Sequence, residues 1–356
     1  MTPSKWVQDN ALTLLRPALL LQTAIYHFIM TVLTLVFIQR RPFALLDLKA
    51  LRYKSFARLW KYNGEAMSIE MPGPLTELLS TCKGVVLDIG PGSGEILPRF
   101  NPNLITAMYG AEPAEDLHPG LLKNAQKSGF GTKYHALLCG AEPESLIPAL
   151  HKSGILNVSG KNGLASDGLF DEICCVRVLC GVPHPEQTIK ELYQLLKPGG
   201  RMVICEHVAN PWRTEGRVAA RFMQLIFTVL GWPFFMGGCK LQRHTKEFLR
   251  DAGQWDKFDL EYYGSKDVVP FVVGELVKRE TLGESVGNTD DELNTRSPME
   301  GRVKQRGPME QSYAEVVGEL TLKQGTMEDA GSNVTKPQGE SGVSLDKTFA
   351  EAVKED

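Results

Sequence analysis

Short apolar runs alternate with amphipathic segments of helical period between Gly84 and Lys278. The runs are bounded by turn residues and are rich in β-branched and aromatic side chains, which predicts strands. The runs are GVVLDIG, LITAMYGAE, KYHALLCG, LFDEICCVRVLC, RMVICEHV, KFDLEYYG and PFVVGELVKR. Helical segments separate the first five runs, so we expect a parallel sheet covered by helices on both faces. The last two runs are joined only by GSKDVV, which is too short to cross the sheet and predicts an antiparallel pair.

The N-terminal region contains an uncharged apolar run over residues 18–38, which is long enough to cross a bilayer as a helix. Most of the nearby Lys and Arg residues follow this run rather than precede it, so the rest of the chain is expected on the cytosolic side. The alternative is a buried amphipathic helix, because several polar residues interrupt the run: Gln22, Thr23, His27, Thr31 and Thr34. Residues 44–80 have a helical pattern.

The C-terminal region, residues 281–356, is rich in Gly, Ser, Thr, Glu and Lys and predicts a disordered acidic tail. The net charge of the chain is −3, and its acidic excess comes from this tail. The weak, scattered positive charge elsewhere does not indicate a nucleic-acid partner. The seven cysteines lie mostly in apolar runs, as reduced buried thiols do, and no C-x-x-C pair occurs, so no metal site is expected.

A glycine-rich stretch, Asp88-Ile-Gly90-Pro-Gly92-Ser-Gly94, follows the first predicted strand. A dinucleotide fingerprint would need glycine at position 95, where this chain has Glu95 at the expected start of a helix. A carboxylate there would repel a pyrophosphate, and Asp88 adds a second negative charge. The loop therefore favours a ligand with cationic groups and no phosphate, such as S-adenosylmethionine, over a nicotinamide cofactor.

The next two predicted strands also end in candidate ligand-binding residues. Glu112 lies at the tip of the second strand, where a carboxylate can accept hydrogen bonds from both hydroxyls of a ribose. The backbone of Ala141 and the side chain of Glu142 follow the third strand and are expected to meet the adenine. The predicted cofactor-binding residues are Asp88, Gly90, Gly92, Gly94, Glu112, Ala141 and Glu142. The alternative is a structural glycine turn with ordinary surface acids.

The later motifs carry a family resemblance. They are Phe170-Asp171, Val178-Leu179-Cys180, Leu196-Lys197-Pro198-Gly199-Gly200, Glu206-His207-Val208 and Gly238-Cys239-Lys240-Leu241-Gln242-Arg243. Residues 84–278 resemble the class I S-adenosylmethionine-dependent methyltransferases. More specifically, about residues 18–278 resemble the methyltransferase-like seven family of membrane-anchored thiol methyltransferases. The chain departs from that family at Pro91, Gly140 and Arg177.

The resemblance implies an α/β fold with a Rossmann-like sheet of five parallel strands and a terminal antiparallel pair. The implied domains are an N-terminal membrane anchor (1–43, spanning at about 18–38), a helical linker (44–80), a methyltransferase domain (81–280) and the disordered tail (281–356). It also implies attachment to a membrane of the endoplasmic-reticulum or lipid-droplet type, with the catalytic domain in the cytosol.

The acceptor side is expected to contain His207 and Arg177. Methyl transfer needs mainly alignment of the acceptor with the methyl group, and a base matters only for an acceptor with a high pKa. His207, at the end of the fifth predicted strand, is the best-placed base, although a structural histidine is the alternative. Arg177 occupies a position usually apolar and is expected to enter the acceptor pocket. Cys180 and Cys239 are expected to be buried apolar residues, because no histidine lies near them in the sequence.

The predicted function is transfer of a methyl group from S-adenosylmethionine to a small lipophilic acceptor, with thiol sulfur as the first choice by resemblance. O- or N-methylation in secondary metabolism is one alternative. Another is a non-catalytic membrane or lipid-surface protein that retains the fold. The apolar stretch RFMQLIFTVLGWPFFMGG lies where acceptor lids are inserted and predicts a lid or a second membrane contact, with core packing as the alternative.

Overall fold

The computed structural model describes residues 3–156 and 168–280, with side chains from residue 16 onward. The predicted tail, residues 281–356, lies outside the described residues. Within the described ranges one sheet contains β1 (Gly84–Ile89), β2 (Ile105–Ala111), β3 (Tyr134–Leu137), β4 (Phe170–Val176), β5 (Leu196–His207), β6 (Trp255–Tyr263) and β7 (Phe271–Lys278).

The strand order is β3-β2-β1-β4-β5-β7-β6. β1 to β5 are parallel, whereas β7 is antiparallel to both β5 and β6, with His207 opposite Phe271. The predicted five parallel strands and terminal antiparallel pair are therefore confirmed. The order reverses between β1 and β4, and open α/β sheets bind ligands at the carboxyl ends of the strands at such a point.

The helices are α1 (Pro3–Leu33), α2 (Leu48–Ser68), α3 (Leu75–Ser80), α4 (His118–Lys127), α5 (Pro143–Lys152), α6 (Pro185–Leu195), α7 (Val218–Val229), α8 (Trp232–Phe235) and α9 (Thr245–Asp251). Pro143 and Pro185 lie in the first turns of α5 and α6, where a missing backbone N–H costs no hydrogen bond. The Asp47 side chain accepts a 2.9 Å hydrogen bond from the backbone N–H of Ala50 and caps α2.

The prediction of a helix directly after the glycine-rich stretch is wrong. The chain there forms turns and one short 3₁₀ segment, Leu97–Arg99, before β2. Gly94 has φ of +83°, which is incompatible with a right-handed helix, and the short segment that remains ends before Phe100, whose backbone is extended. The case against a dinucleotide thus rests on the acids of the loop rather than on a helix terminus.

The fourth predicted strand also ends earlier than expected. β4 stops at Val176, because Arg177 has φ of +58° and the chain turns there. The backbone N–H groups of the next three residues, 178–180, all donate to the carboxylate of Glu206, at 2.8, 2.8 and 3.1 Å. Residues 177–180 therefore form a loop at the carboxyl edge of the sheet.

The N-terminal helix packs against the rest of the fold. Residues 16–38 are long and apolar enough to cross a membrane by length and composition, and 28% of the apolar window is buried within the protein. Leu21 and Ala24 belong to one buried cluster with residues of α2, α7 and α8. His27 Nε2 lies 2.9 Å from Asn63 Nδ2 of α2. One face of α1 is thus buried against the domain, and other positions of the same helix are exposed.

Candidate cofactor and acceptor site

The glycine-rich stretch forms a tight turn at the carboxyl end of β1. Gly90, Gly92 and Gly94 have φ of +67°, +61° and +83°, a region that side chains disfavour. The Gly90 N–H donates a 2.9 Å hydrogen bond to the Ala111 carbonyl at the end of β2. A Cβ atom at Gly92 would collide with the indole of Trp60. Because Gly92 has no side chain, α2 and the glycine turn can approach each other closely.

Trp60 is a site residue that the sequence analysis missed. Its indole N–H donates a 2.9 Å hydrogen bond to Glu95 Oε2, 35 positions further along the chain. Trp60 belongs to α2, in the segment interpreted as a linker. No spacing rule relates an aromatic residue on a preceding helix to a glycine loop, so only the fold reveals the pairing.

Asp88 lies at the centre of this edge and is completely buried. Neither of its carboxylate oxygens has a hydrogen-bond partner among the described residues. Burial raises the pKa of Asp88 to about 7, and the neighbouring carboxylate of Glu112 adds to the shift. A buried carboxylate without a partner is costly unless a ligand satisfies it, so this side chain fits a cationic group such as the ammonium of S-adenosylmethionine.

Glu112 follows β2 and is also buried. Its two carboxylate oxygens accept hydrogen bonds from the backbone N–H groups of Gly92 at 3.0 Å and Ala114 at 2.8 Å. Burial raises the pKa of Glu112, and these two hydrogen bonds oppose the shift. Each oxygen keeps a lone pair after one hydrogen bond, so the carboxylate can still accept from the hydroxyls of a ribose.

Ala141 and Glu142 lie after β3, at the start of α5. Ala141 is buried. The Glu142 carboxylate folds over Gly140, where a Cβ atom would collide with it. Burial and the charges of Glu142 and Glu112 raise the pKa of Cys139 to about 12. The predicted cofactor residues therefore lie together along the carboxyl ends of β1, β2 and β3.

Arg177 lies directly after β4 and joins this edge to α2. Its Nη1 donates to the Met67 carbonyl at 2.7 Å and its Nη2 donates to Ser68 Oγ at 2.8 Å. The guanidinium carbon lies 5.1 Å from the centroid of the Trp60 ring. Arg177 also lines a cavity of about 290 Å³, together with Met67, Glu70, Met71, Pro72 and Phe271. The proposed acceptor residue thus borders a space of small-molecule size.

His207 ends β5 and lies between two thiols. Its Nδ1 is 3.7 Å from Cys180 Sγ and 3.6 Å from Cys239 Sγ, and its ring centroid is 4.5 Å from that of Phe271. Both cysteines are buried, as expected, and the fold places beside them a histidine that no sequence spacing indicated. The histidine is 27 and 32 positions away from the two cysteines, so only the turn after β4 and the loop before α9 bring them together.

Glu206 is a second residue whose role the sequence did not reveal. It is completely buried, and burial raises its pKa to about 7 despite the hydrogen bonds it accepts from residues 178–180. These bonds hold the loop that carries both Arg177 and Cys180. In the Glu206-His207-Val208 motif, Glu206 therefore holds the loop of residues 177–180 in place, and His207 contacts Cys180 of that loop.

The sheet order, the glycine turn after β1 and the acid after β2 define a class I methyltransferase fold. The chain belongs to the family described as "Methyltransferase domain", whose model matches residues 54–259. The match begins within α2 and includes Trp60. The methyl donor of these enzymes is S-adenosylmethionine, and Asp88, buried and without a hydrogen-bond partner among the described residues, fits its ammonium group.

The chain is similar to "Thiol S-methyltransferase TMT1B" of Homo sapiens and of Rattus norvegicus, at 32% and 29% identity over 117 residues. These matches cover 32% of this chain and 46% of each relative, so the chain spans about half the length of these relatives. It is also similar to the "2-methoxy-6-polyprenyl-1,4-benzoquinol methylase, mitochondrial" of Xenopus laevis. That match has 31% identity over 158 residues and covers 38% of this chain and 51% of the relative.

Proposed function

We propose that the protein transfers the methyl group of S-adenosylmethionine to the sulfur of a small lipophilic thiol at the cytosolic face of a membrane. The observation that carries the proposal is the buried carboxylate of Asp88, which has no partner within the described residues and lies beside the glycine turn. A methyltransferase-family domain with this feature needs a cationic ligand there. The choice of sulfur is supported by the relatives named thiol S-methyltransferase.

Each cofactor-binding residue has a distinct proposed role. Asp88 binds the ammonium group, and the turn at Gly90, Gly92 and Gly94 lets the backbone approach the ligand closely. Glu112 accepts hydrogen bonds from the ribose hydroxyls. Ala141 and Glu142 border the adenine. The cofactor supplies a methyl group already activated on a sulfonium, so the protein mainly binds, aligns and excludes water.

The cavity beside Arg177 is the proposed acceptor site. Its volume of about 290 Å³ and the side chains of Met67, Met71 and Phe271 suit a small apolar molecule. Arg177 lines this cavity, and its positive charge would stabilise a thiolate bound there. The thiol gives up its proton to solvent, and its sulfur then forms the bond to the methyl carbon as the carbon–sulfonium bond breaks.

An exposed apolar surface supports association with a membrane. Phe37, Ile38, Phe43 and Leu46, after α1, are each more than 70% exposed, and Val218, Phe222 and Val229 of α7 are more than 60% exposed. Clusters of exposed apolar side chains are typical of membrane or partner contacts. Because α1 also packs on α2, we propose that it lies in the membrane interface rather than perpendicular to the bilayer. The endoplasmic-reticulum or lipid-droplet type of membrane follows from the family resemblance alone.

The test is transfer from methyl-labelled S-adenosylmethionine to acceptors that share one apolar body. Thiophenol, phenol and aniline present sulfur, oxygen and nitrogen on the same ring, and a substituted benzoquinol offers a ring carbon. The full chain in vesicles is expected to label thiophenol far faster than the others. Label that enters phenol, aniline or the quinol instead would contradict the choice of sulfur. Asp88→Asn is expected to remove labelling, whereas Asp116→Asn, a change at an exposed acid, retains it.

A further inference from the structure

Three metal-ligating side chains meet at the carboxyl end of β5, which β4 separates from β1 in the sheet. They are Cys180, His207 and Cys239, which come from the loop after β4, the end of β5 and the loop before α9. Their Sγ, Nδ1 and Sγ atoms all lie within 4.8 Å of one another. It is the one group of this kind that the described part of the chain contains. The Asp88–Glu112 cofactor site uses none of these residues.

The two sulfur–nitrogen distances match those of a tetrahedral metal centre. Zinc binds thiolate sulfur at about 2.3 Å and imidazole nitrogen at about 2.0–2.1 Å, so tetrahedral geometry places sulfur about 3.6 Å from nitrogen. The observed separations from His207 Nδ1 are 3.7 Å to Cys180 Sγ and 3.6 Å to Cys239 Sγ. Two soft sulfur ligands and one imidazole are a donor set that selects zinc-class cations over magnesium or calcium.

The backbone around the two cysteines is held in place before any cation binds. The Cys180 N–H donates to Glu206, and the Cys180 carbonyl accepts a 2.9 Å hydrogen bond from the N–H of Lys240. Gly238, with φ of +100°, lets the second loop approach Gly181 closely. Arg243 donates to the carbonyls of residues 179 and 182. Such anchoring fixes the sulfur atoms relative to each other, which metal sites require.

The geometry points to a binding site for one zinc-class divalent cation, held by Cys180 Sγ, Cys239 Sγ and His207 Nδ1. Binding releases the two thiol protons, and the two thiolates balance the charge of the cation. The described residues provide no fourth protein ligand to this group, so the fourth position is left for water or an external ligand, as in catalytic zinc sites. This proposal departs from the expectation of no metal, which relied on the absence of a C-x-x-C pair.

The test uses metal content and does not depend on methyl transfer. The full chain is stripped with a chelator, dialysed against Zn²⁺ or Co²⁺, and analysed by mass spectrometry for metal per chain. We expect one cation per chain. The Co²⁺ form is expected to show an intense near-ultraviolet band from thiolate ligands and the visible spectrum of tetrahedral coordination. This spectrum of the unaltered chain reports the ligand set even where a variant fails to fold.

Cys180→Ser, Cys239→Ser and His207→Ala are each expected to lose stoichiometric metal. Cys82→Ser is the matched control: Cys82 also lies in a buried pair, 3.8 Å from Cys174 Sγ, but has no histidine beside it among the described residues. It should keep the cation. Absence of a stoichiometric cation in the unaltered chain would overturn the proposal. So would retention of the cation in all three variants, or a cobalt spectrum without thiolate bands.

Discussion

The indole N–H of Trp60 donates a 2.9 Å hydrogen bond to the carboxylate of Glu95, which joins α2 to the glycine turn after β1. The same indole lies so close to Gly92 that no side chain fits there. The guanidinium carbon of Arg177 lies 5.1 Å from the centroid of the same ring, and its Nη1 donates to the Met67 carbonyl at the end of α2. One helix that precedes the sheet thus contacts both the proposed cofactor turn and the proposed acceptor cavity.

Trp60→Phe keeps the ring but removes the N–H donor. We expect a loss of about 1–2 kcal/mol in the free energy of unfolding, the scale of a hydrogen bond to a charged acceptor at a partly exposed position, and a severalfold weaker affinity for S-adenosylmethionine. Denaturant titration and calorimetry measure the two effects. Trp212→Phe, at an exposed indole, is the control and should change neither. Equal effects in both variants would show that the Trp60–Glu95 bond has no special role.

The pKa of Asp88 predicts how cofactor affinity depends on pH. Burial raises this pKa from 3.8 to about 7, so the folded protein keeps a proton that the unfolded chain has lost. This group therefore stabilises the cofactor-free fold most below pH 3.8, and that contribution is lost as pH rises through about 7. An ammonium group pairs only with the ionised form, so affinity should rise with pH. At pH 6 it should be about tenfold below its plateau.

Calorimetric titrations between pH 5.5 and 8 check this dependence. Asp88→Asn should bind weakly at every pH and lose most of the slope. A smaller slope should remain because Glu112, whose pKa burial also raises, still titrates. Asp116→Asn should keep the full dependence. An affinity of the unaltered chain that is flat across this range would contradict the pairing of Asp88 with a cation.

The sheet could be predicted because each buried strand consists of consecutive residues with a recognisable apolar pattern. β1, β2, β3, β4 and β7 fall within the predicted runs, whereas β5 and β6 begin five and two residues before theirs, so residues 196–200, predicted as a helix end, are in β5. The glycine turn with Asp88 and Glu112 follows from where two strands end. The rest depends on contacts between distant positions. Trp60 and Glu95 are 35 positions apart, and His207 is 27 and 32 positions from the two thiols. β4 ends early where the chain turns at Arg177, and the buried carboxylate of the distant Glu206 accepts hydrogen bonds from the N–H groups of residues 178–180 after this turn.

Membrane association should depend on the exposed apolar side chains rather than on the buried face of α1. Phe37 and Phe43 are 72% and 82% exposed, so the double variant Phe37→Glu/Phe43→Glu should leave the melting temperature unchanged and release the protein from vesicles. Flotation with lipid vesicles measures the release. Leu21→Glu instead places a charge in the core and should lower the free energy of unfolding by about 3 kcal/mol or more. Full retention of the double variant would indicate that the helix spans the bilayer.

Turnover should follow the ionisation of the acceptor itself. Thiols have a pKa near 8.5 and ionise partly at neutral pH, so no strong base is needed. For a series of thiols with different pKa values, the midpoint of each pH–rate profile should track that thiol. His207→Ala should lower turnover less than tenfold, with metal content measured in the same preparation. One midpoint shared by all thiols, which disappears in His207→Ala, would show that an enzyme base operates and would favour an oxygen or nitrogen acceptor.

The central claim is that the buried acids after β1 and β2 bind S-adenosylmethionine, and calorimetric titration of the full chain at pH 8 tests it most directly. Glu112→Ala should weaken binding by about 2–3 kcal/mol, the scale of losing hydrogen bonds to a charged group. Asp88→Ala should weaken it as much or more, because its buried carboxylate has no protein partner among the described residues. The control is Glu115→Ala, at an exposed acid three positions after Glu112, and it should bind S-adenosylmethionine as the unaltered chain does. Unchanged affinity in both the Asp88 and the Glu112 variants would contradict the account.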